Sequence, residues 1–95
     1  MPTYLIGDIT IRDPVAYDQY REEASNLIAR HHGEYMVRGG DIEVIAGEWR
    51  PKRLIILRFP DKEGARAYLS DPGYHRLGEL RQRALRSDIV IVEGV

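Results

Sequence analysis

Three stretches of this chain are apolar at odd and even positions alike, and they predict the strands around which the rest is arranged. From Tyr4 to Ile11, Leu5, Ile9 and Ile11 occupy odd positions around Gly7, while the even positions Tyr4, Ile6, Asp8 and Thr10 turn polar toward the end. Leu54-Ile55-Ile56-Leu57 shows no alternation, which marks a strand covered on both faces. Ile89 to Val92, within a last strand from Asp88 to Glu93, repeats that pattern.

Helical spacing fills the intervals. Asp13-Pro14 is a helix start, with Asp as N-cap and Pro at the first helical position. The helix runs to about His31, with Tyr17, Tyr20, Ala24, Leu27, Ile28 and His31 on one face and Asp18, Arg21, Glu22 and Glu23 on the other. Gly33 fits the position past its end, where left-handed backbone costs glycine little. Glu34 to Arg38 is extended, Gly39-Gly40-Asp41 is a turn or bulge, and the strand resumes from Ile42 to Ala46. Gly47 to Pro51 forms a hairpin connection to a third strand, Lys52 to Phe59. Asp61 caps a second helix that places Ala65, Tyr68 and Leu69 on one face. Ser70-Asp71-Pro72 interrupts it, and a further helix runs from Pro72 to about Arg86, burying Tyr74, Leu77, Leu80 and Ala84.

The order β-α-β-β-α-β predicts an α+β, ferredoxin-like fold: a four-stranded antiparallel sheet, first and third strands central, both helical stretches on one face. The other face is left bare. Four strands about 4.8 Å apart and about 20 Å long present roughly 400 Å², on the order of 10 kcal/mol gross if buried. Association costs offset much of this, yet the patch is large for a monomer, and pairing two sheets about a twofold axis closes it. A second copy of the chain is the expected partner.

Composition narrows the classes. The chain has 95 residues, enough for one domain, with 43% hydrophobic and 31% charged residues. Lys and Arg number 14 against 15 Asp and Glu, and no basic tract is interleaved with aromatics, so nucleic acid is not an expected partner. The absence of cysteine excludes disulfides and thiolate chemistry. No apolar run approaches membrane-spanning length and Met1-Pro2-Thr3 lacks a signal-peptide pattern, which points to a cytoplasmic protein without a membrane partner.

Four strings in order, HHGEYMVRGG (31–40), EVIAGEWRPKRLIILRFPD (43–61), DPGYHRLGELR (71–81) and the terminal IVIVEGV, resemble the domain of unknown function 1330 family of the dimeric α/β-barrel superfamily. Glu34 departs from the second glycine common in that family. The resemblance implies two ferredoxin-like subunits whose sheets pack into a barrel. Wider relatives include cofactor-independent monooxygenases, lactone isomerases and haem enzymes, and they commonly use a cavity between sheet and helices. The resemblance supplies no catalytic residue.

Candidate chemistry is sparse. Arg38, before the Gly-Gly turn, is suited to holding a carboxylate, or else pairs with an acidic neighbour. Trp49 offers a flat wall with one N–H, or else packs at the dimer contact. Asp8 and Arg58 break apolar strands and either orient a ligand or make structural ion pairs. Antiparallel strands put Arg58 nearer the start of the first strand than its middle. His31 and His32 end the first helix, as C-terminal caps or, for His31, as a base beside the tyrosines. Adjacent histidines point apart, and no metal-ligand spacing exists. Tyr20, with Tyr17, Tyr68 and Tyr74, lies on an inner helix face and either packs or walls a cavity.

Three functions are consistent with this pattern: a homodimer acting without a cofactor on a small organic acid or aromatic metabolite, a non-catalytic binding module with the same pocket, or a structural dimer with a filled interior. The pocket residues expected are Arg38, Trp49, His32 and Tyr20, with Asp8 and Arg58 as further ligand-binding candidates.

Overall fold

The central strand of the sheet, β1 (Thr3–Ile11), is paired antiparallel along its whole length with β4 (Leu85–Glu93) and over its first part with β3 (Leu54–Phe59). A short β2 (Glu34–Arg38) pairs with the outer side of β3, giving the order β2-β3-β1-β4. The computed structural model describes residues 1–95. The fold is α+β and ferredoxin-like, as the sequence predicts: four antiparallel strands with the first and third inside, and helices packed on one face.

The helix starts follow their caps. Asp13 Oδ1 accepts from the backbone N–H of Val15 and of Ala16 at 3.0 and 3.2 Å, opening α1 (Pro14–Arg30). Asp61 Oδ1 accepts from Gly64 N–H at 2.7 Å, opening α2 (Lys62–Ser70). Asp71 does the same for α3 (Pro72–Arg76) through Gly73 N–H. α3 stops at Leu77 and α4 (Gly78–Ala84) follows, so the single helix expected from Pro72 to Arg86 is two short ones. Gly73 and Gly78, weak helix formers placed five residues apart, account for the break. The last strand consequently begins at Leu85 rather than Asp88.

Alternate residues of β1 and β3 point into the helical layer, where Leu5, Leu27, Ile28, Ile55, Leu57, Phe59, Ala65 and Tyr68 form the main core. A smaller cluster, Ala16, Tyr17, Ala84 and Leu85, closes the opposite end. The other parity, including Ile6, Ile56, Val90 and Val92, has no helix over it; Val90 is 59% exposed and Val92 49%. The apolar runs of both parities therefore describe one covered face and one bare face.

Two expectations are corrected here. The first is the resumed strand at Ile42–Ala46: residues 40–53 are irregular, and Ile42, Val44, Ile45 and Trp49 are exposed. β3 starts at Leu54, and before it the chain has already turned toward β1, where Ile9 N–H donates to Arg53 C=O at 2.8 Å. Lys52 N–H donates to Asp8 Oδ1 at 3.1 Å. Residues 42–46 thus have no strand opposite them, and apolar alternation alone does not make a ladder.

The second correction concerns the end of α1. The left-handed residue is His32, at φ 61°, not Gly33. Gly33 is required for a different reason: a Cβ there would lie 2.7 Å from Phe59 Cε1 and 2.8 Å from Ile28 Cγ2, so its bare backbone lets the chain turn against the ring of Phe59.

Candidate functional site

A hollow lies between sheet and helices, and its origin is Gly7. This residue sits in the middle of β1 with its missing side chain on the covered face, flanked across the strands by Ile55 and Ile89. A glycine inside a strand leaves a gap in the layer of side chains. Leu5, Ile9 and Leu57 complete the floor, Ala24 and Ile28 of α1 line one side, and Tyr20, Tyr35, Tyr68 and Tyr74 line the rest. The cavity measures about 60 Å³, several times the roughly 10–15 Å³ that one buried water needs. Arg21 stands at its margin, its guanidinium paired outward with Asp18 at 3.3 Å.

The four tyrosines are held in defined states. Ser25 Oγ–H donates to Arg21 C=O at 2.7 Å, so its single proton is taken, and Tyr35 O–H donates to Ser25 Oγ at 2.9 Å. Arg81 Nε–H donates to Tyr20 Oη at 3.2 Å and Arg81 Nη2–H to Tyr74 C=O at 2.9 Å. The same guanidinium lies 4.0 Å from the centre of the Tyr74 ring and 5.5 Å from that of Tyr20. Tyr68, 4% exposed, stacks on Phe59 at 5.5 Å and meets Tyr74 edge-on at 5.1 Å. Burial pushes the Tyr68 phenol well above its ordinary pKa, and it pushes Tyr20 upward as well, against the opposing pull of Arg81. At neutral pH these phenols are proton donors, not bases.

Of the residues singled out by sequence, Tyr20 lines this cavity. Arg38 does not line it: the side chain shares the Tyr35 side of β2 but lies beside Asp18, Arg21 and Ser25 of α1, its guanidinium 4.5 Å from the centre of the Tyr35 ring. That contact depends on a bulge in β2, where the register shifts between Tyr35, opposite Leu57, and Val37, opposite Ile56. His32 is exposed in the turn after α1. His31, its neighbour, places Nε2 2.7 Å from Asp71 Oδ2 and its ring edge-on to Tyr68 at 6.3 Å.

Asp8 and Trp49 meet on the bare face, on the far side of the sheet from Tyr20. Trp49 Nε1–H donates to Asp8 Oδ2 at 3.0 Å, and the pair sits with Ile6, Asp88 and Val90 around a shallow depression. Arg58 is on that face too, opposite Tyr4 as antiparallel pairing demands, with Nη1 3.4 Å from Glu34 Oε1. The six residues are therefore spread over four places: Tyr20 in the cavity, Arg38 at the Tyr35 ring, His32 in the turn after α1, and Asp8, Trp49 and Arg58 on the bare face. Arg81 was not singled out by sequence at all, and the one available signal was its position one turn after Leu77 on the inner side of a helix.

A larger hollow lies elsewhere, an open groove of about 500 Å³ between α1 and α3–α4 where Arg30, Arg76 and Arg83 mix with Glu23 and Glu79. Its charges are of both signs and exposed, and they converge on no point. No three His, Asp or Glu side chains gather as metal ligands, and no helix is long and apolar enough to cross a membrane.

Comparison with known proteins agrees with this architecture. The family described as "Domain of unknown function (DUF1330)" matches residues 2–95. Among solved structures, a protein of unknown function from Rhodopseudomonas palustris is similar with a TM-score of 0.79 and 17% identity, over 99% of this chain and 82% of that one. A dimeric ferredoxin-like protein of unknown function from Jannaschia sp. CCS1 has a TM-score of 0.70 and 19% identity, over 99% and 100%. SnoaB, a cofactor-independent oxygenase from Streptomyces nogalater, has a TM-score of 0.64 and 12% identity, over 99% and 93%. At such identities the likeness is one of fold. No curated protein matches.

Proposed function

Because the chain belongs to the DUF1330 family and folds into a ferredoxin-like sheet with one bare face, we propose that it pairs with a second copy through that face and holds a small organic molecule between sheet and helices. The observation that carries the binding reading is the hollow at Gly7, walled by four tyrosines whose ring positions are fixed by Arg81, Ser25 and Phe59. Pre-formed, mostly apolar hollows with a few placed polar groups are the usual form of a small-molecule site.

Pairing is supported by the exposure of Val90, Val92 and Trp49 on one side of the sheet and by the dimeric state of the ferredoxin-like protein from Jannaschia sp. CCS1. In this reading Asp8 and Trp49 belong to the contact between copies, and Tyr20 to the pocket. SnoaB, with the same fold, is a cofactor-independent oxygenase, so turnover of the bound molecule is one outcome the test must register.

The test combines sedimentation equilibrium with a thermal-shift screen of small ring compounds, each stabilising compound then being assayed for conversion. A dimer stabilised by a compound that is recovered unchanged supports a binding module, and product formation supports an enzyme. The modest volume, about 60 Å³, favours a second reading in which the dimer is structural and its interior filled. A screen without any stabilising compound selects that reading, and a 10.9 kDa particle at micromolar concentration overturns the pairing.

A further inference from the structure

The chemistry of the hollow says what kind of molecule it takes. Eleven of its thirteen lining residues are hydrophobic. The nearby cations are already engaged: Arg21 is turned outward to Asp18, and Arg81 lies behind the Tyr20 and Tyr74 rings with two of its N–H groups on Tyr20 Oη and Tyr74 C=O. An ionised carboxylate inside would lose its hydration and find no free counter-charge.

The tyrosine hydroxyls are not equivalent. Tyr35 gives its proton to Ser25, and Tyr20 receives a hydrogen bond from Arg81. Tyr68, 4% exposed, lines the hollow, and its hydroxyl makes no hydrogen bond to another group of the chain. The one fully enclosed side-chain oxygen without a partner is Thr3 Oγ1, so the Tyr68 hydroxyl is not sealed in the core and keeps open space in which to meet an acceptor. Burial keeps this phenol protonated across the physiological range, so the group it offers is an O–H donor.

Building on the binding reading above, we propose that the cavity takes an uncharged, compact hydrocarbon skeleton of about one ring that carries a single oxygen acceptor, hydrogen-bonded by Tyr68 O–H. This narrows the organic acid or aromatic metabolite expected from sequence to the neutral member of that pair. A polycyclic molecule does not fit without movement of the tyrosines, since the space is about 60 Å³.

The experiment uses three probes of one shape, cyclohexanone, methylcyclohexane and cyclohexanecarboxylate, titrated at pH 7 against the full chain and a Tyr68→Phe variant while backbone amide shifts are followed. Cyclohexanone is expected to shift amides around Gly7, Ala24 and Ile55, and to bind at least tenfold more tightly than the carboxylate. Tyr68→Phe is expected to weaken the ketone about fivefold, the effect of one hydrogen bond, and to leave methylcyclohexane unchanged. A carboxylate that binds as well as the ketone overturns the proposal, as does a ketone indifferent to Tyr68→Phe. If the variant does not fold, the ranking of the three probes on the unaltered chain still decides. If none of the three binds, the binding reading itself falls with the proposal, whereas binding without preference for the ketone removes only the neutral-acceptor assignment.

Discussion

His31 Nε2 lies 2.7 Å from Asp71 Oδ2, tying the end of α1 to the junction of α2 and α3 across forty residues of chain. The His31 hydrogen bond, followed by that from Gly73 N–H, holds the Asp71 carboxyl below its ordinary pKa. A depressed carboxylate contributes stability that is complete above the unfolded value near pH 4 and is lost as pH falls through the lower folded value. Asp71→Asn should therefore flatten the acid limb of the melting-temperature profile below about pH 4. Asparagine caps a helix about as well as aspartate, so Asp71→Ala should cost additional degrees at every pH.

Gly33→Ala should destabilise the chain by about 1–3 kcal/mol, the usual effect of overpacking, because the added methyl meets Phe59 and Ile28 at under 3 Å. Urea denaturation, read as a lower midpoint at unchanged slope, checks this.

The opposite is expected at Gly7. A Cβ there meets Ile89 and Ile9 at 3.7 and 3.8 Å, ordinary contact distances. Gly7→Ala should leave stability unchanged or raise it by about 0.4–1 kcal/mol while filling part of the cavity. Any compound that stabilises the unaltered chain through this site should lose its thermal shift in the variant.

Arg81→Met should cost about 1–3 kcal/mol, since it removes two hydrogen bonds and leaves Tyr20 Oη and Tyr74 C=O without a donor. Arg81→Lys should recover little of this, because an ammonium cannot reach both acceptors while lying flat on a ring. In the unaltered chain, absorbance titration at alkaline pH should show the ionisation of Tyr20 and Tyr68 deferred beyond the usual value near 10. Their raised folded values contribute stability that is complete below that pH and is lost as pH rises through them.

In the proposed dimer, Val90→Asp should separate the two copies without unfolding them, since Val90 is 59% exposed in the single chain. Trp49, at 60% exposure, is the natural reporter. Its emission should shift to the red when the unaltered protein is diluted and should start red in the variant, with sedimentation equilibrium fixing the masses.

The fold was legible in the sequence wherever a local cause decided it. Asp13, Asp61 and Asp71 act on N–H groups two or three residues away, and the doubled apolar parity of three strands announced a sheet with two greasy faces. What was not legible depends on which strand lies opposite. Ile42–Ala46 carries a strand's alternation, yet Arg53 and Lys52 turn toward β1 and leave it unpaired. Gly7 was visible, but its meaning as the source of a cavity required knowing that Ile55 and Ile89 flank it. Asp8 and Trp49 stand out for separate reasons, and only the fold of residues 40–53 shows that they hydrogen-bond to each other. Arg81 drew no notice because an arginine on a helix is ordinarily a solvated one.

The bulge in β2 has a counting consequence. In an unbroken strand, residues three apart look in opposite directions, but the surplus residue between Tyr35 and Val37 restarts the count, so Tyr35 opposite Leu57 and Arg38 opposite Ile55 share one side. Excising Met36 would restore the two-residue rhythm and swing either the tyrosine or the arginine to the reverse of the sheet. One amino acid at an edge thus keeps a wall of the hollow and the cation stacked on it in step, and a frame-shortened relative should be unable to keep both.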